Sequence, residues 1–177
     1  VGDLKKAGYS FITEFEDIND QNGKVICIDE RMDEAVEEKS LTMLADATVE
    51  ALEHLQKQGG KGFFLMVEGA KIDYAGHAKS LPGSILETLS FDLAVAEALK
   101  FADENGETLV VVTGDHETGG LVLLDGDEKT GRVMGVYVTN DHTPTMLPVY
   151  AYGPGSDKFI GTYRNTEIAR RIKELIK

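Results

Sequence analysis

The sequence has 177 residues, 42% hydrophobic and 28% charged, with 18 Lys+Arg against 31 Asp+Glu and a net charge of −13. That length fits one domain with a real core, the composition excludes collagen, coiled-coil and disordered classes, and the acidic surplus disfavours nucleic acid, whose phosphates it would repel. The single cysteine, Cys27, excludes an internal disulfide and any cysteine-built zinc site, and no apolar run approaches the roughly 20 residues of a membrane span.

In chain order, Leu4 to Ala7 reads as the end of a helix closed by Gly8, followed by the apolar run Tyr9 to Ile12. This opening lacks the basic and apolar regions of a signal peptide, and a start inside a helical pattern is what a chain cut from something longer would show. The turn Asn22-Gly23 precedes a predicted strand, Lys24 to Ile28, in which Cys27 is expected to be a buried core thiol. Leu41, Leu44, Ala45, Thr48, Leu52 and Leu55 repeat at the spacing of one helix face, predicting a helix from an N-cap at Ser40 to Gln58, stopped by Gly59-Gly60. His54, among Glu50, Glu53 and Lys57, falls on the polar side and reads as a surface histidine.

Gly62 to Val67 is a nearly all-apolar run of strand length, Pro82 to Glu104 a second helix stopped at Asn105-Gly106, and Leu109 to Val112 another apolar strand. Gly120 to Val138 reads as two short strands around Asp125-Gly126-Asp127, Leu147 to Tyr152 as a strand, and Asn165 to Lys177 as a closing helix with Ile168, Ile172 and Leu175 inward. Apolar runs without polar alternation belong to strands covered on both faces, so the class is α/β with a mostly parallel sheet flanked by helices. No repeat, linker or low-complexity tract divides residues 1–177, which read as a single portion.

Chemistry gathers after two of these runs, where ligands of α/β sheets collect. The first runs into Glu68-Gly-Ala-Lys-Ile-Asp73-Tyr-Ala-Gly-His77, the second into Thr113-Gly-Asp115-His116-Glu-Thr-Gly-Gly120. Asp73 and His77 are four apart, so one helical turn would aim both at one point. A carboxylate with imidazoles suits zinc, and three protein ligands with an open position mark a catalytic site. Taken singly, each has a plainer reading: a chance spacing, a hydrogen-bonded loop pair at Asp115-His116, a solvated strand end at Glu68. His142, in Asp141-His142-Thr143, is anonymous without the others.

Together, the segments Phe64 to His77, Thr113 to Gly120, and Asp141 to Thr143 with Val149 to Pro154 resemble the metal-binding segments of the alkaline phosphatases, in order and approximate spacing, from about Lys39 to the C-terminus. The resemblance implies a three-layer α/β sandwich, present here in part. It implies that Asp73, His77 and His142 bind a first zinc, that Asp115 and His116 are two of three ligands of a second zinc, and that Glu68 is one ligand of magnesium. It also implies phosphate monoesters as substrate, hydrolysis through a phosphoserine intermediate, a homodimer as an allowed assembly, and a periplasmic, secreted or cell-surface location.

One departure bears on activity. The family's nucleophile stands in an Asp-Ser-Ala segment, and Asp-Ser occurs nowhere here; Ser10, Ser40, Ser80, Ser84, Ser90 and Ser156 have no comparable context. The family's phosphate arginine, its aspartate bridging the second zinc and magnesium, and the magnesium threonine are also unmatched. The expectation is therefore the family's second half, inactive without the nucleophile-bearing N-terminal half, which becomes its implied partner. Two other readings stay open: a non-catalytic zinc-binding module, and a phosphodiesterase or sulfatase of the wider superfamily. Gly120 to Asp141 is too short to hold the large crown insertion of some relatives.

Overall fold

The computed structural model describes residues 2–34, 36–37 and 40–176; Val1, the boundary at Lys39 and the helix end at Lys177 lie outside the described residues. Helices and strands alternate as the α/β class requires, in two compact units: Val1–Lys71 with Ile85–Glu97, and Ile72–Ser84 with Ala98–Lys177. No helix among the described residues is long and apolar enough to cross a membrane.

In the first unit, α1 (Gly2–Lys6) leads into β1 (Tyr9–Ile12), which pairs in parallel with β2 (Lys24–Cys27) in the register Tyr9 to Lys24 through Ile12 to Cys27. The crossover carries a 3-10 turn, Phe15–Asp20, tied to α2 (Met43–Gln58) by Asn19, whose amide donates to the Glu50 carbonyl at 3.2 Å and to its carboxylate at 2.5 Å. After β2, Asp29 accepts from the Phe15 N–H at 3.3 Å and receives Arg31 Nε at 2.9 Å and Nη2 at 2.5 Å. The guanidinium continues to Glu16 at 2.6 Å. The charge-assisted bonds from Arg31 hold the Asp29 carboxyl down at about 2.

Several expectations need correction here. Helix α2 begins at Met43 after Thr42, and Ser40 instead exchanges hydrogen bonds with the Glu37 backbone. His54 is not on the surface but 6% exposed, with Gln58 at 3.2 Å from its Nε2. It lies half a turn from Ala45 and Leu52, which are also buried, so α2 is covered on two faces and its polar neighbours misled the assignment. Cys27 is only half-buried, yet desolvation pushes its thiol up. Gly62 to Val67 joins no ladder, and Phe64 and Met66 are 62% and 75% exposed. An apolar run becomes a strand only when a neighbour takes its backbone hydrogen bonds.

The second unit holds α3 (Lys71–His77) from Ile72 onward, both ends of α4 (Leu81–Asn105), and six strands in three antiparallel pairs. β3 (Val110–Thr113) pairs with β8 (Val149–Tyr152), β4 (Glu117–Thr118) with β7 (His142–Thr143), and β5 (Leu121–Asp127) with β6 (Arg132–Tyr137). Among the described residues the ladders are thus mostly antiparallel, against the expected mostly parallel sheet. Helix α4 extends one residue beyond the expected Pro82 to Glu104 at each end: Ser80 Oγ accepts from the Gly83 N–H at 3.2 Å, and Gly106 closes the C-terminus at φ 68° with its N–H on the Ala102 carbonyl. The hairpin turns at Glu128 to Gly131 and not at Asp125-Gly126-Asp127, which lies within β5 beyond a register shift between Leu123 and Asp125. Helix α5 (Thr166–Leu175) closes the chain.

Candidate metal centre

Helix α3 places Asp73 and His77 one turn apart, and the helix then breaks at Lys79, whose φ is 54°. It lies directly on β4: a Cβ built on Gly76 would be 2.9 Å from the Thr118 carbonyl oxygen and 3.0 Å from its Cβ, and one on Gly119 would be 3.0 Å from the Gly76 carbonyl. Only glycine allows this approach. β7 then brings in His142, which is the ladder partner of Thr118. The return is fixed by backbone bonds, Gly119 N–H to the Asp141 carbonyl at 3.0 Å and Val138 and Thr139 N–H to the Gly119 carbonyl at 3.0 and 3.1 Å. Glu117 holds the same corner: its carboxylate accepts from the Gly120 and Leu121 N–H groups at 3.1 and 3.2 Å and from the Thr143 hydroxyl.

These elements bring together Asp73, His77 and His142, with one ligand atom from each lying within 4.8 Å of the others. His77 Nε2 is 3.2 Å from His142 Nε2 and 3.4 Å from Asp73 Oδ2, and His142 Nε2 is 3.6 Å from Asp73 Oδ1. A tetrahedral zinc with ligand distances of about 2.0–2.1 Å has ligand-to-ligand edges of about 3.3–3.4 Å, and these separations are close to that length, with a different Asp73 oxygen facing each histidine. Asp73 is half-buried, and both imidazoles are exposed.

The tautomer of His77 supports the same use. Its Nδ1 lies 2.6 Å from the Asn140 carbonyl oxygen, which can only accept, so Nδ1 carries a proton and in the neutral ring Nε2 offers its lone pair to the cluster.

Asp115 and His116 meet one another, with His116 Nε2 3.2 Å from Asp115 Oδ2. The His116 ring stacks on His142 with centroids 3.5 Å apart and planes at 17°. The second predicted pair therefore adjoins the first cluster, with two ligand atoms again at the edge length a small cation needs. Glu68 is exposed and belongs to the other compact unit.

Sequence reasoning missed two contributors, Thr118 and the Asn140 carbonyl. Thr118 Oγ1 donates to Asp73 Oδ1 at 2.5 Å and lies 3.2 Å from His116 Nδ1. Thr118 stands inside the segment quoted for its resemblance, so its position two residues after His116, on a strand that returns toward Asp73, was the available signal. No side-chain signal could have found a backbone carbonyl.

The family model for alkaline phosphatase matches residues 1–136, starting well before the boundary near Lys39 read from the motifs. Alkaline phosphatase 4 of Bacillus subtilis is 29% identical over 246 residues, covering 99% of this chain and 53% of that protein. The alkaline phosphatase of Escherichia coli is 37% identical over 150 residues, covering 76% of this chain and 32% of that protein. Among solved structures, the alkaline phosphatase of the Antarctic bacterium TAB5 superposes with a TM-score of 0.82 at 34% identity, covering 98% of this chain and 53% of that one. A mutant of the TAB5 enzyme was solved with Mg bound. These likenesses support the partial α/β fold expected above, and the chain spans about half the length of the first of these relatives.

Proposed function

Because the chain belongs to the alkaline phosphatase family, we propose that its protein hydrolyses phosphate monoesters through a phosphoserine intermediate, and that these 177 residues supply most of the metal ligands for that reaction. The observation that carries the proposal is the convergence of Asp73, His77 and His142 from α3 and β7 at edge lengths of 3.2 to 3.6 Å.

In this reading Asp73, His77 and His142 hold a first zinc, Asp115 and His116 contribute two ligands to a second, and Glu68 contributes one to magnesium. Zinc at these positions supplies Lewis-acid stabilisation of charge on the phosphoryl and leaving oxygens. The chain's own residues do the positioning. Asn140 keeps the His77 proton on Nδ1, and the β4–β7 ladder carries His142 to α3. The net charge of −13 would repel an anionic ester, so the substrate must be drawn by bound cations and not by the surface at large. The nucleophilic serine and the phosphate-binding arginine come from sequence outside these residues, since no serine here follows an aspartate. Export from the cytoplasm and homodimer formation belong to the same proposal, tested by cell fractionation and by light scattering on the intact protein.

The test is hydrolysis of 4-nitrophenyl phosphate in zinc and magnesium. The intact protein turns over, Asp73→Ala abolishes turnover, and the 177-residue polypeptide alone gives none above metal background. Zinc uptake by the intact protein without turnover of any phosphate ester would favour the non-catalytic module that the missing Asp-Ser dipeptide keeps in view. Preference for a diester or a sulfate ester would favour a superfamily cousin.

A further inference from the structure

Resting on the metal-centre reading above, we propose that Thr118 is a positioning residue that joins the two ligand sets, using a single hydroxyl to hold the Asp73 carboxylate and to set the tautomer of His116. The proton inventory leads there. Thr118 Oγ1 is 2.5 Å from Asp73 Oδ1 and 3.2 Å from His116 Nδ1. A hydroxyl has one proton to donate and lone pairs to accept with, and an ionised carboxylate only accepts. At 2.5 Å the proton must lie between Oγ1 and Oδ1, because two bare acceptors at that distance repel. His116 Nδ1 then meets only a lone pair on Oγ1, so it must itself carry hydrogen and donate.

The chain of donors therefore runs one way, from His116 Nδ1–H to Thr118 Oγ1–H to Asp73 Oδ1. Its consequence falls on the opposite side of the imidazole: in the neutral ring His116 Nε2 is left free for a metal, whereas Asp115 Oδ2, 3.2 Å away, draws the proton toward Nε2 in the absence of a cation, so the hydroxyl and the carboxylate pull on opposite nitrogens. It also restrains Asp73, the carboxylate that spans His77 and His142. Thr118 can do both because its backbone is fixed twice, by the ladder pairing with His142 and by contact with Gly76. His77 reaches the same tautomer by another device, the Asn140 carbonyl, so two histidines with different Nδ1 acceptors both present Nε2.

Thr118→Val keeps the branched shape and removes the hydroxyl; Thr118→Ser keeps the hydroxyl. The experiment has two readouts on the intact protein. Zinc affinity, from titration against a competing chelator, is expected to fall 10–100-fold in Thr118→Val and to stay within about threefold of wild type in Thr118→Ser. The ring proton of His116, located by long-range 1H–15N correlation in metal-free protein at a pH where the imidazoles are neutral, is expected on Nδ1 in wild type and Thr118→Ser, and redistributed toward Nε2 in Thr118→Val. Wild-type zinc affinity in Thr118→Val, or an Nδ1 proton that survives it, overturns the proposal; should that variant not fold, Thr118→Ser weakened 10-fold or more does the same. If wild type itself takes up no zinc, the metal-centre reading fails, while the tautomer still decides the role of Thr118.

Discussion

Gly76 and Thr118 meet with no side chain between them: a methyl group at residue 76 would sit 2.9 Å from the Thr118 carbonyl oxygen. Gly76→Ala gains about 1 kcal/mol of helix propensity but must push α3 off β4, and overpacking of this kind costs about 1–3 kcal/mol. The expected result is a lower melting temperature together with weaker zinc uptake, because His77 is the next residue. Unchanged melting and uptake by calorimetry would mean that α3 shifts without cost.

Metal should stabilise the second unit by mass action. Zinc at 100 times its dissociation constant contributes about 2.7 kcal/mol, equivalent to roughly 5–10 °C for a chain of this size. His142→Ala should remove most of that shift, leaving Asp73 and His77 as a two-ligand remnant, and chelator should return wild type to the variant's melting temperature. Differential scanning fluorimetry with and without zinc checks it.

Glu117 braces the corner. Its carboxylate takes two backbone N–H groups and the Thr143 hydroxyl, so Glu117→Ala should destabilise the fold by about 1–3 kcal/mol through donors left unpaired. Glu117→Gln, which keeps an acceptor oxygen, should lose less. Urea unfolding of both variants separates the two.

In the first unit, Arg31 holds the Asp29 carboxyl at about 2, below its ordinary value. A depressed carboxylate adds stability that is fully present above its unfolded pKa and is lost as pH falls through the folded one. Arg31→Met should therefore unfold more easily than wild type at pH 7, with the difference shrinking between about pH 4 and pH 2. Denaturant midpoints at pH 7 and pH 2.5 test the sign.

Phe64 and Met66 lie open on a segment that enters no ladder, and exposed apolar surface of this sort favours association. The 177-residue polypeptide is expected to self-associate across micromolar concentrations by light scattering, and Phe64→Lys with Met66→Glu to reduce it. A clean monomer at all concentrations would count against this.

The sequence disclosed the site better than the sheet. Asp73 and His77 were legible because helical spacing is a local rule, and α4 because its apolar residues repeat at helical spacing and Asn105-Gly106 marks its stop. That Gly62 to Val67 joins no ladder, and that three of the four ladders among the described residues are antiparallel, were not legible in the same way, since a ladder depends on a second strand that periodicity does not name. His54 failed for a related reason: its polar neighbours describe one helix face, while burial depends on what covers the other. The Asp125-Gly126-Asp127 signal marked an irregularity but placed it wrongly, because a bulge and a turn use the same residue types.

Residues 138 to 142 both supply a ligand in His142 and set the proton of His77 through Asn140, while Asp141 closes onto Gly119. Displacing that short stretch takes away one donor atom and spoils another in a single event. Heating or chelation should then yield a mixture of intact and ruined centres, with few half-built ones between, and loss of the ion should track local unfolding instead of stepwise release.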